Sequence, residues 1–469
     1  MTAKLNSQVH ELDRTDIESY AIRGGIVHER FFDCPLDYSA PEDAQRVRVF
    51  VRHIVPLDKK AKMHELPFLL YLQGGPGYEC RFPGAATSGW YKKAFEEGYQ
   101  ILLLDQRGTG LSTPINADSL DAMFSTTEEK VKYVSHFRAD NIVRDCEHVR
   151  KVLCAGRADA DSSKLTLLGQ SFGGFCITTY LSLFPESISK AFITGGVPPL
   201  VDSPDAVYQA TYKRMISRNK QYYEKYPRDV ARVRRIIEHL NEVDVKLSDG
   251  GNLSPRRFQQ LGISFGFTGG FDQVHQIVFK AADDIETLGK LSAHTLAAVA
   301  NMQSFDTNPL YCIMHEAIYC QNGNTSRWSA HRVREQCFAS EFEHSWSKLV
   351  ARSDSDASIY FTGETVYPWM LDDYAELRRL KDVGMGLAEY AGWGQLYDTS
   401  VLSSNAVPVA GVSYYNDMFV DFNLSEQTAQ SIQGFRLWVT NEYHHNGLGA
   451  DSRVMSYLTE LLRGDITDL

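Results

Sequence analysis

The order of hydrophobic and polar residues changes along the chain, and each pattern predicts a different kind of element. Residues 18–56 contain short alternating runs, and residues 46–52 alternate with a period of two, which predicts antiparallel strands. From about residue 66, apolar runs of strand length alternate with helical patterns. These runs cover residues 68–72, 101–104, 165–168 and 191–194. Such alternation predicts a parallel sheet with helices on both faces.

A long polar and mostly helical segment interrupts this alternation from about residue 198 to residue 395. The strand pattern then resumes. The predicted elements after it are a strand at 407–415, a helix at 425–433, a strand at 435–440 and a helix at 454–462. We therefore expect one α/β core formed by residues 1–197 and 396–469, with a large inserted helical cap domain at 198–395, called the cap segment below.

Composition and charge exclude several classes of protein. Of the 469 residues, 43% are hydrophobic and 23% are charged, which is typical of a globular chain and not of a disordered one. The net charge of −11, without Lys/Arg runs, argues against a nucleic-acid partner. The longest apolar runs are far shorter than the roughly 20 residues of a membrane-spanning helix, and the amino end lacks the apolar core of a signal peptide.

Cysteine usage completes the compositional picture. The eight cysteines form no CxxC pair, which predicts free thiols and, together with the missing leader, a cytoplasmic protein. No ligand spacing for a metal is present, and we expect neither a metal nor an organic cofactor. The sequence carries no signal for an oligomeric state.

The sharpest chemical signal is a G-x-S-x-G pattern formed by Gly169, Ser171 and Gly173. A predicted strand precedes it and a helical pattern follows it. In α/β-hydrolases this strand–turn–helix arrangement is the nucleophile elbow, which lifts the serine hydroxyl above the sheet. A glycine-rich turn with an incidental serine is the alternative, but the context favours Ser171 as a nucleophile.

Two further loops also follow predicted strands. The run Leu-Gln-Gly-Gly-Pro-Gly at 72–77 can aim a backbone N–H at a developing oxyanion, and we assign this donor to Gly75. The elbow supplies the second donor, from Phe172. In the loop at 105–112, we expect Asp105 and Arg107 to pair and to brace the floor of the site.

A serine nucleophile needs a base and an acid, which follow the serine in that fold in the order acid, then histidine. Of the 14 histidines, only His444 and His445 lie beyond the strand predicted at 407–415. We take His445 as the base, with His444 as the alternative. Asp417 lies at the first turn after that strand and is the candidate acid, with Asp421 as the alternative.

Together these motifs resemble the proline iminopeptidase (prolyl aminopeptidase) family of α/β-hydrolases, in its longer fungal and actinobacterial form. The similar segments are residues 74–77, 105–112, 169–174, 194–199, 315–320, 361–364, 415–418 and 440–448. They are spread over nearly the whole chain. The family's glycine-rich loop commonly begins with His, where Gln73 stands here, but the glycines are intact. The family pattern around the base matches His445, and its strand-end pattern matches Asp417.

The resemblance implies a serine aminopeptidase that releases N-terminal proline from short peptides through an acyl-enzyme. Such a substrate carries a secondary ammonium, which carboxylates would bind. Family members use glutamates of the cap for this purpose, and Glu316 and Glu364 are the matching positions. One alternative is a carboxylesterase or amidase on the same triad, although a neutral ester offers these carboxylates no counter-charge. Another is a non-catalytic interaction protein, although no triad residue is missing.

Overall fold

A nine-stranded mixed sheet forms the centre of the protein. The computed structural model describes residues 17–41, 44–157, 161–351 and 358–466. The strands are β1 (Glu18–Ile22), β2 (Gly25–Pro35), β3 (Arg46–Pro56), β4 (Phe68–Leu72), β5 (Gln100–Leu104), β6 (Leu165–Gln170), β7 (Ile188–Thr194), β8 (Val409–Tyr414) and β9 (Phe435–Thr440). Their order across the sheet is β1-β2-β3-β5-β4-β6-β7-β8-β9. The pairs from β1 to β5 are antiparallel, and those from β5 to β9 are parallel.

Helices cover both faces of the sheet, as the alternating patterns predicted. Those next to the strands are α1 (Gly89–Glu96), α2 (Ala117–Met123), α3 (Thr127–Val134), α4 (Ala139–Leu153) and α5 (Phe172–Leu183) before the cap segment, and α18 (Phe422–Ser431), α19 (Gly447–Ala450) and α20 (Arg453–Arg463) after β8. In β5, Ile101 and Leu103 belong to a buried cluster with residues of α1 and α20, whereas Leu102 and Leu104 belong to a cluster with residues of α4 and α5. Because both faces are buried, the strand is an unbroken apolar run.

In the described residues of the cap segment the regular elements are helices joined by loops, apart from one isolated bridge between Lys246 and Asn252. The helices between β7 and β8 are α6 (Asp205–Lys225), α7 (Asp229–Glu242), α8 (Pro255–Gln259), α9 (Gly270–Leu288), α10 (Ala293–Asn301), α11 (Pro309–Met314), α12 (Ser329–Val333), α13 (Trp346–Val350), α14 (Met370–Asp373), α15 (Ala375–Arg379), α16 (Lys381–Ala388) and α17 (Thr399–Ser403). They share one hydrophobic cluster with the α4 and α5 face of the sheet. In the described ranges, no helix is long and apolar enough to cross a bilayer. The limits 198 and 395 stay a prediction.

The loop after β5 corrects one expectation, because Arg107 pairs with Asp145 of α4 and not with Asp105. Two guanidinium nitrogens of Arg107 lie 2.7 and 2.6 Å from the two carboxylate oxygens of Asp145, and both side chains are buried. The remaining donors of Arg107 bind three backbone carbonyls. Asp105 instead accepts the backbone N–H groups of Cys80 and Leu111. Burial raises the pKa of Asp105 to about 6, although the two backbone N–H groups and the charge of Arg52 act in the opposite direction.

The Arg107–Asp145 pair yields a prediction about stability. We expect Arg107→Gln to lower the free energy of unfolding by roughly 3–5 kcal/mol, because it leaves the Asp145 carboxylate buried without its cation. Urea denaturation measures this change. Arg379→Gln is the matched control, since Arg379 pairs with Asp118 at the surface and its loss costs less than about 1 kcal/mol. Equal losses in the two variants would contradict a structural role for the buried pair.

Candidate active site

Ser171 occupies the sharp turn between β6 and α5, in a backbone conformation that residues other than glycine rarely adopt. Its φ is +54° and its ψ is −125°. Its N–H donates to the carbonyl of Thr194 at 3.0 Å, and its own carbonyl accepts the N–H of Gly174 at 2.7 Å. The turn is so tight that a Cβ on Gly173 would lie 2.0 Å from the carbonyl oxygen of Leu72. These contacts hold the serine at the carboxyl edge of the parallel strands.

His445 and Asp417 meet at the same edge, in the loops that follow β9 and β8. Nδ1 of His445 lies 2.7 Å from Oδ2 of Asp417, and both side chains are buried. The other carboxylate oxygen accepts the N–H groups of Phe419 and Val420 at 2.8 and 3.2 Å. Burial alone would lower the pKa of His445, but the charge and the hydrogen bond of Asp417 raise it above its ordinary value. This arrangement leaves Nε2 for a proton transfer.

The two alternative residues have different surroundings. Asp421 caps α18, because its Oδ1 accepts the N–H groups of Asn423 and Leu424 at 3.0 and 3.3 Å. Its Oδ2 accepts a hydrogen bond from Arg214 at 3.0 Å. His444 is half-buried. Burial lowers its pKa, and the charge of Arg218 adds a smaller effect in the same direction. The geometry therefore joins His445, and not His444, to a carboxylate.

A side chain that the sequence did not single out connects the turn of Ser171 to the loop of His445, which follows β9. Nε2 of Gln170, the residue before Ser171, donates to the carbonyl of His445 at 2.9 Å. The Thr194 hydroxyl in turn donates to Oε1 of Gln170 at 2.9 Å. A Cβ on Gly196, in the loop after β7, would lie 2.0 Å from the Ser171 carbonyl oxygen, so that loop packs closely against the turn of Ser171. The position of Gln170 inside the elbow motif was the one available signal.

Two backbone amides border the serine hydroxyl. A Cβ on Gly74 would lie 3.7 Å from Oγ of Ser171, so the peptide between Gly74 and Gly75 runs beside this group. Phe172 is the first residue of α5, and the first N–H groups of a helix have no partner within it. Within the part of the chain that the structure describes, neither the Gly75 nor the Phe172 amide donates to a backbone carbonyl. Both are free to bind an oxygen near Ser171.

Glu364 lies on the cap side of this site. Its Oε1 accepts the hydroxyl of Tyr311 at 2.7 Å, and its charge adds to that of Asp417 in raising the pKa of His445. Tyr311, on α11, packs against the glycine-rich loop, since a Cβ on Gly77 would lie 2.6 Å from its backbone nitrogen. The cap segment thus places a carboxylate close to both the base and the loop of Gly75.

Glu316 is buried in a 3₁₀ turn of the cap segment, Glu316–Ile318. Its two oxygens accept the N–H groups of Ser329 and Ala330, at 2.9 and 2.8 Å, at the start of α12. Burial raises its pKa to about 7, although these backbone bonds act in the opposite direction. The carboxyl therefore titrates near neutral pH, and it keeps lone pairs for a further donor.

Tyr208 on α6 adds a polar group near both glutamates. Its hydroxyl is buried and, among the described residues, has no hydrogen-bond partner. Burial raises the pKa of this hydroxyl well above the ordinary value, and the charges of Glu316 and Glu364 add smaller effects in the same direction. Neither Tyr208 nor Tyr311 was predicted, because tyrosines in apolar helical stripes are indistinguishable from core residues in a single sequence.

Comparisons with known proteins identify the fold and the family of this chain. Residues 67–237 match a family model described as the alpha/beta hydrolase fold. The chain is 41% identical over 445 residues to a proline iminopeptidase of Aeromonas sobria, which covers 95% of this chain and 98% of that protein. It is 39% identical over 420 residues to the proline iminopeptidase aneH of Aspergillus aculeatus, with 89% of each chain covered. A tripeptidyl aminopeptidase of Streptomyces coelicolor is 26% identical over 199 residues, 36% of this chain and 35% of that protein.

These findings confirm the predicted α/β-hydrolase fold and the resemblance to a known family. The identity to the two iminopeptidases extends over the sheet and the cap segment together, so it is not a likeness of the core alone. The chain belongs to the proline iminopeptidase family of α/β-hydrolases.

Proposed function

We propose that this protein is a serine aminopeptidase that releases proline from the free amino end of peptides. The observation that carries the proposal is the buried Asp417–His445 pair beside the strained turn of Ser171. The carboxylates of Glu316 and Glu364 on the cap side support a cationic substrate. The names of two relatives at 41% and 39% identity, both proline iminopeptidases, support proline as the residue released.

In this proposal the chemistry proceeds through a covalent ester. Oγ of Ser171 attacks the carbonyl of the N-terminal residue while Nε2 of His445 takes its proton, and Asp417 stabilises the imidazolium. The amides of Gly75 and Phe172 bind the resulting oxyanion. His445 then gives the proton to the leaving amine, and the C–N bond breaks. Water, deprotonated by His445, attacks the prolyl ester, and free proline leaves with Ser171 restored.

The substrate's ammonium is the proposed partner of the two glutamates. A secondary ammonium has two N–H donors, and burying it is unfavourable unless a negative charge is close. Glu364 has lone pairs beyond the one that Tyr311 occupies, and Glu316 has lone pairs beyond those that α12 occupies. A neutral ester would leave both carboxyl groups without a counter-charge, which disfavours the esterase alternative.

We also propose that residues 198–395 act as one cap over the serine. The supporting contacts are those of Tyr311 with the loop of Gly77 and those of Gly363 with Met418, where a Cβ on Gly363 would lie 2.6 Å from the methionine methyl group. The cap would thereby limit the substrate to the end of a peptide, which accounts for an aminopeptidase on a fold that also supports esterases.

One comparison of substrates tests the proposed activity. We expect a chromogenic amide of proline to be hydrolysed at least roughly 100-fold faster, in kcat/KM, than its N-acetyl derivative, because acetylation removes the charge that Glu316 and Glu364 bind. The acetate ester of the same chromophore serves as a neutral substrate. Ser171→Ala is the control and should lose about 10³-fold or more on all substrates while it unfolds at the same temperature. A preference for the acetylated amide or the ester would overturn the proposal.

A second prediction concerns the acid. We expect Asp417→Asn to lower kcat about 10³–10⁴-fold, because a neutral amide cannot stabilise the imidazolium of His445. Asp417 raises the pKa of His445 above its ordinary value of 6.5, and neutral His445 is the active form. Activity should therefore fall as the pH drops through this raised pKa. In Asp417→Asn this acid limb moves to lower pH. Asp421→Asn, which keeps a capping residue for α18, should change little. Similar losses in both variants would contradict the assignment.

A third prediction separates binding of the ammonium from general damage. We expect Glu316→Gln to raise KM for the proline amide about 10-fold and to spare the neutral ester. The pKa of Glu316 is about 7, so KM of the native enzyme should fall as the pH rises through 7, until the substrate amine loses its proton near about 8. This fall should be absent in Glu316→Gln.

The control for this variant is Glu376→Gln, because Glu376 also accepts a backbone N–H at a helix start, that of Ala117 at 2.9 Å on α2. Glu364→Gln should act in the same direction as Glu316→Gln. If Glu316→Gln lowered kcat/KM equally for the amide and for the ester, Glu316 would be assigned to support of the fold.

A further inference from the structure

The cap segment binds the loop of the catalytic histidine directly. The cap turn, defined as Gly266, Phe267 and Thr268, lies just before α9. The carbonyl of Gly266 accepts the N–H of His445 at 3.1 Å. Oδ1 of Asn446, the next residue, accepts both the N–H and the hydroxyl of Thr268, at 3.1 and 3.2 Å. Three hydrogen bonds therefore join Gly266 and Thr268 of the cap turn to two consecutive residues, His445 and Asn446, of the loop after β9.

The backbone of His445 is held from two opposite sides. Its carbonyl accepts the side chain of Gln170, which belongs to the core, whereas its N–H donates to Gly266, which belongs to the cap segment. The imidazole also packs edge-on against Phe419, with ring centroids 4.8 Å apart and planes at 84°. Phe267 of the cap turn lies 5.2 Å from Phe419 and 6.3 Å from the imidazole, measured between ring centroids.

The contact between Gly266 and Phe419 is too close to tolerate a larger residue at position 266. A Cβ on Gly266 would lie 2.2 Å from the ring of Phe419, so the cap turn lies directly on the residue whose N–H binds Asp417. The cap turn thus touches the supports of both the base and the acid, without contributing an atom to the proton transfer itself.

We propose that the cap turn is a positioning element for His445, so that seating of the cap segment and competence of the base are coupled. The inference rests on the proposed role of His445. The hydrogen bond to Asp417 fixes only one atom of the imidazole, and the direction of its Cα–Cβ bond depends on how the peptide groups on either side are held. Gln170 and Gly266 hold these groups, and Asn446 keeps the cap turn in register. A displacement of about 1 Å at a reacting group costs on the order of 100-fold in rate.

Substitutions of Asn446 and Thr268 test this coupling. We expect Asn446→Ala, which removes the acceptor of both Thr268 bonds, to lower kcat by about 10- to 100-fold. Thr268→Val removes only the hydroxyl bond and should lower kcat by roughly 2- to 5-fold. Asn446→Asp keeps both acceptors and should restore most of kcat at a pH above the acid limb. Because the two residues act through one contact, Asn446→Ala combined with Thr268→Val should lose no more than Asn446→Ala alone.

The readouts distinguish positioning of the base from support of the fold or binding of the substrate. We expect the loss to be equal on the proline amide and on the neutral ester, KM to stay within about 2-fold, and the solvent deuterium isotope effect on kcat to rise as proton transfer becomes rate-limiting. Thr287→Val is the matched control, because Thr287 on α9 is exposed and its hydroxyl donates to the carbonyl of Asp283 at 2.8 Å. It should leave kcat unchanged.

Three results would overturn the inference: an unchanged kcat in Asn446→Ala, a loss confined to KM, or additive losses in the double variant. Different results would overturn the proposed function, so the two proposals can be told apart. If the protein hydrolyses the ester but no prolyl amide, and Asn446→Ala still lowers kcat on the ester, the positioning role holds while the peptidase assignment falls. If Ser171→Ala keeps its activity, the base assignment fails, and the positioning inference with it.

Discussion

The hydrogen bond between His445 and Asp417 is the interaction on which the organisation of the site depends. Burial disfavours a charged imidazole, and a carboxylate at 2.7 Å reverses that preference. The pair can form because β8 and β9 are parallel neighbours, so the loops after them emerge at the same edge of the sheet. β6 is separated from β8 only by β7, which brings the turn of Ser171 to that edge as well. The sheet order therefore assembles residues that are far apart in the chain.

The two glutamates of the cap segment differ in a way that matters for the proposed function. The tyrosine hydroxyl on Glu364 is a single neutral donor, whereas two backbone amides at a helix start bind Glu316. Even so, burial raises the pKa of Glu316 to about 7. An ammonium arriving beside it would lower that pKa and release a proton. Under the proposed function, substrate binding and proton release would therefore be coupled, which a fully ionised surface carboxylate would not provide.

Local patterns predicted much of this structure, because they report which residues are buried. The strand at 435–440 coincides with β9, and the G-x-S-x-G pattern placed Ser171 at the end of a strand. Pairings between distant segments could not be predicted in the same way. Arg107 and Asp105 are only two positions apart in sequence, yet Arg107 binds Asp145, 38 residues away, because α4 presents a carboxylate that fits both arms of the guanidinium.

The same limit applies to the site. The resemblance located Glu316 and Glu364 but carried no information about the groups that hold them, which are Tyr311 in one case and the start of α12 in the other. Gln170 stands inside a recognised motif, but its bond to the carbonyl of His445 depends on the path of a loop 275 residues later. Such contacts follow from tertiary packing, and a single sequence contains no periodic signal for them.

The cap segment is more than a cover in this fold. Its helices share a hydrophobic cluster with the sheet face of α4 and α5, so its separation from the core would expose apolar surface as well as open the site. It also contacts three loops of the candidate site: Tyr311 lies on the loop of Gly77, Gly363 on Met418, and Gly266 on His445. A cap that moved as a rigid body would release the N–H of His445 and the loop of Gly77 together. Under the proposed function, closure of the cap over a substrate and positioning of His445 would then occur together.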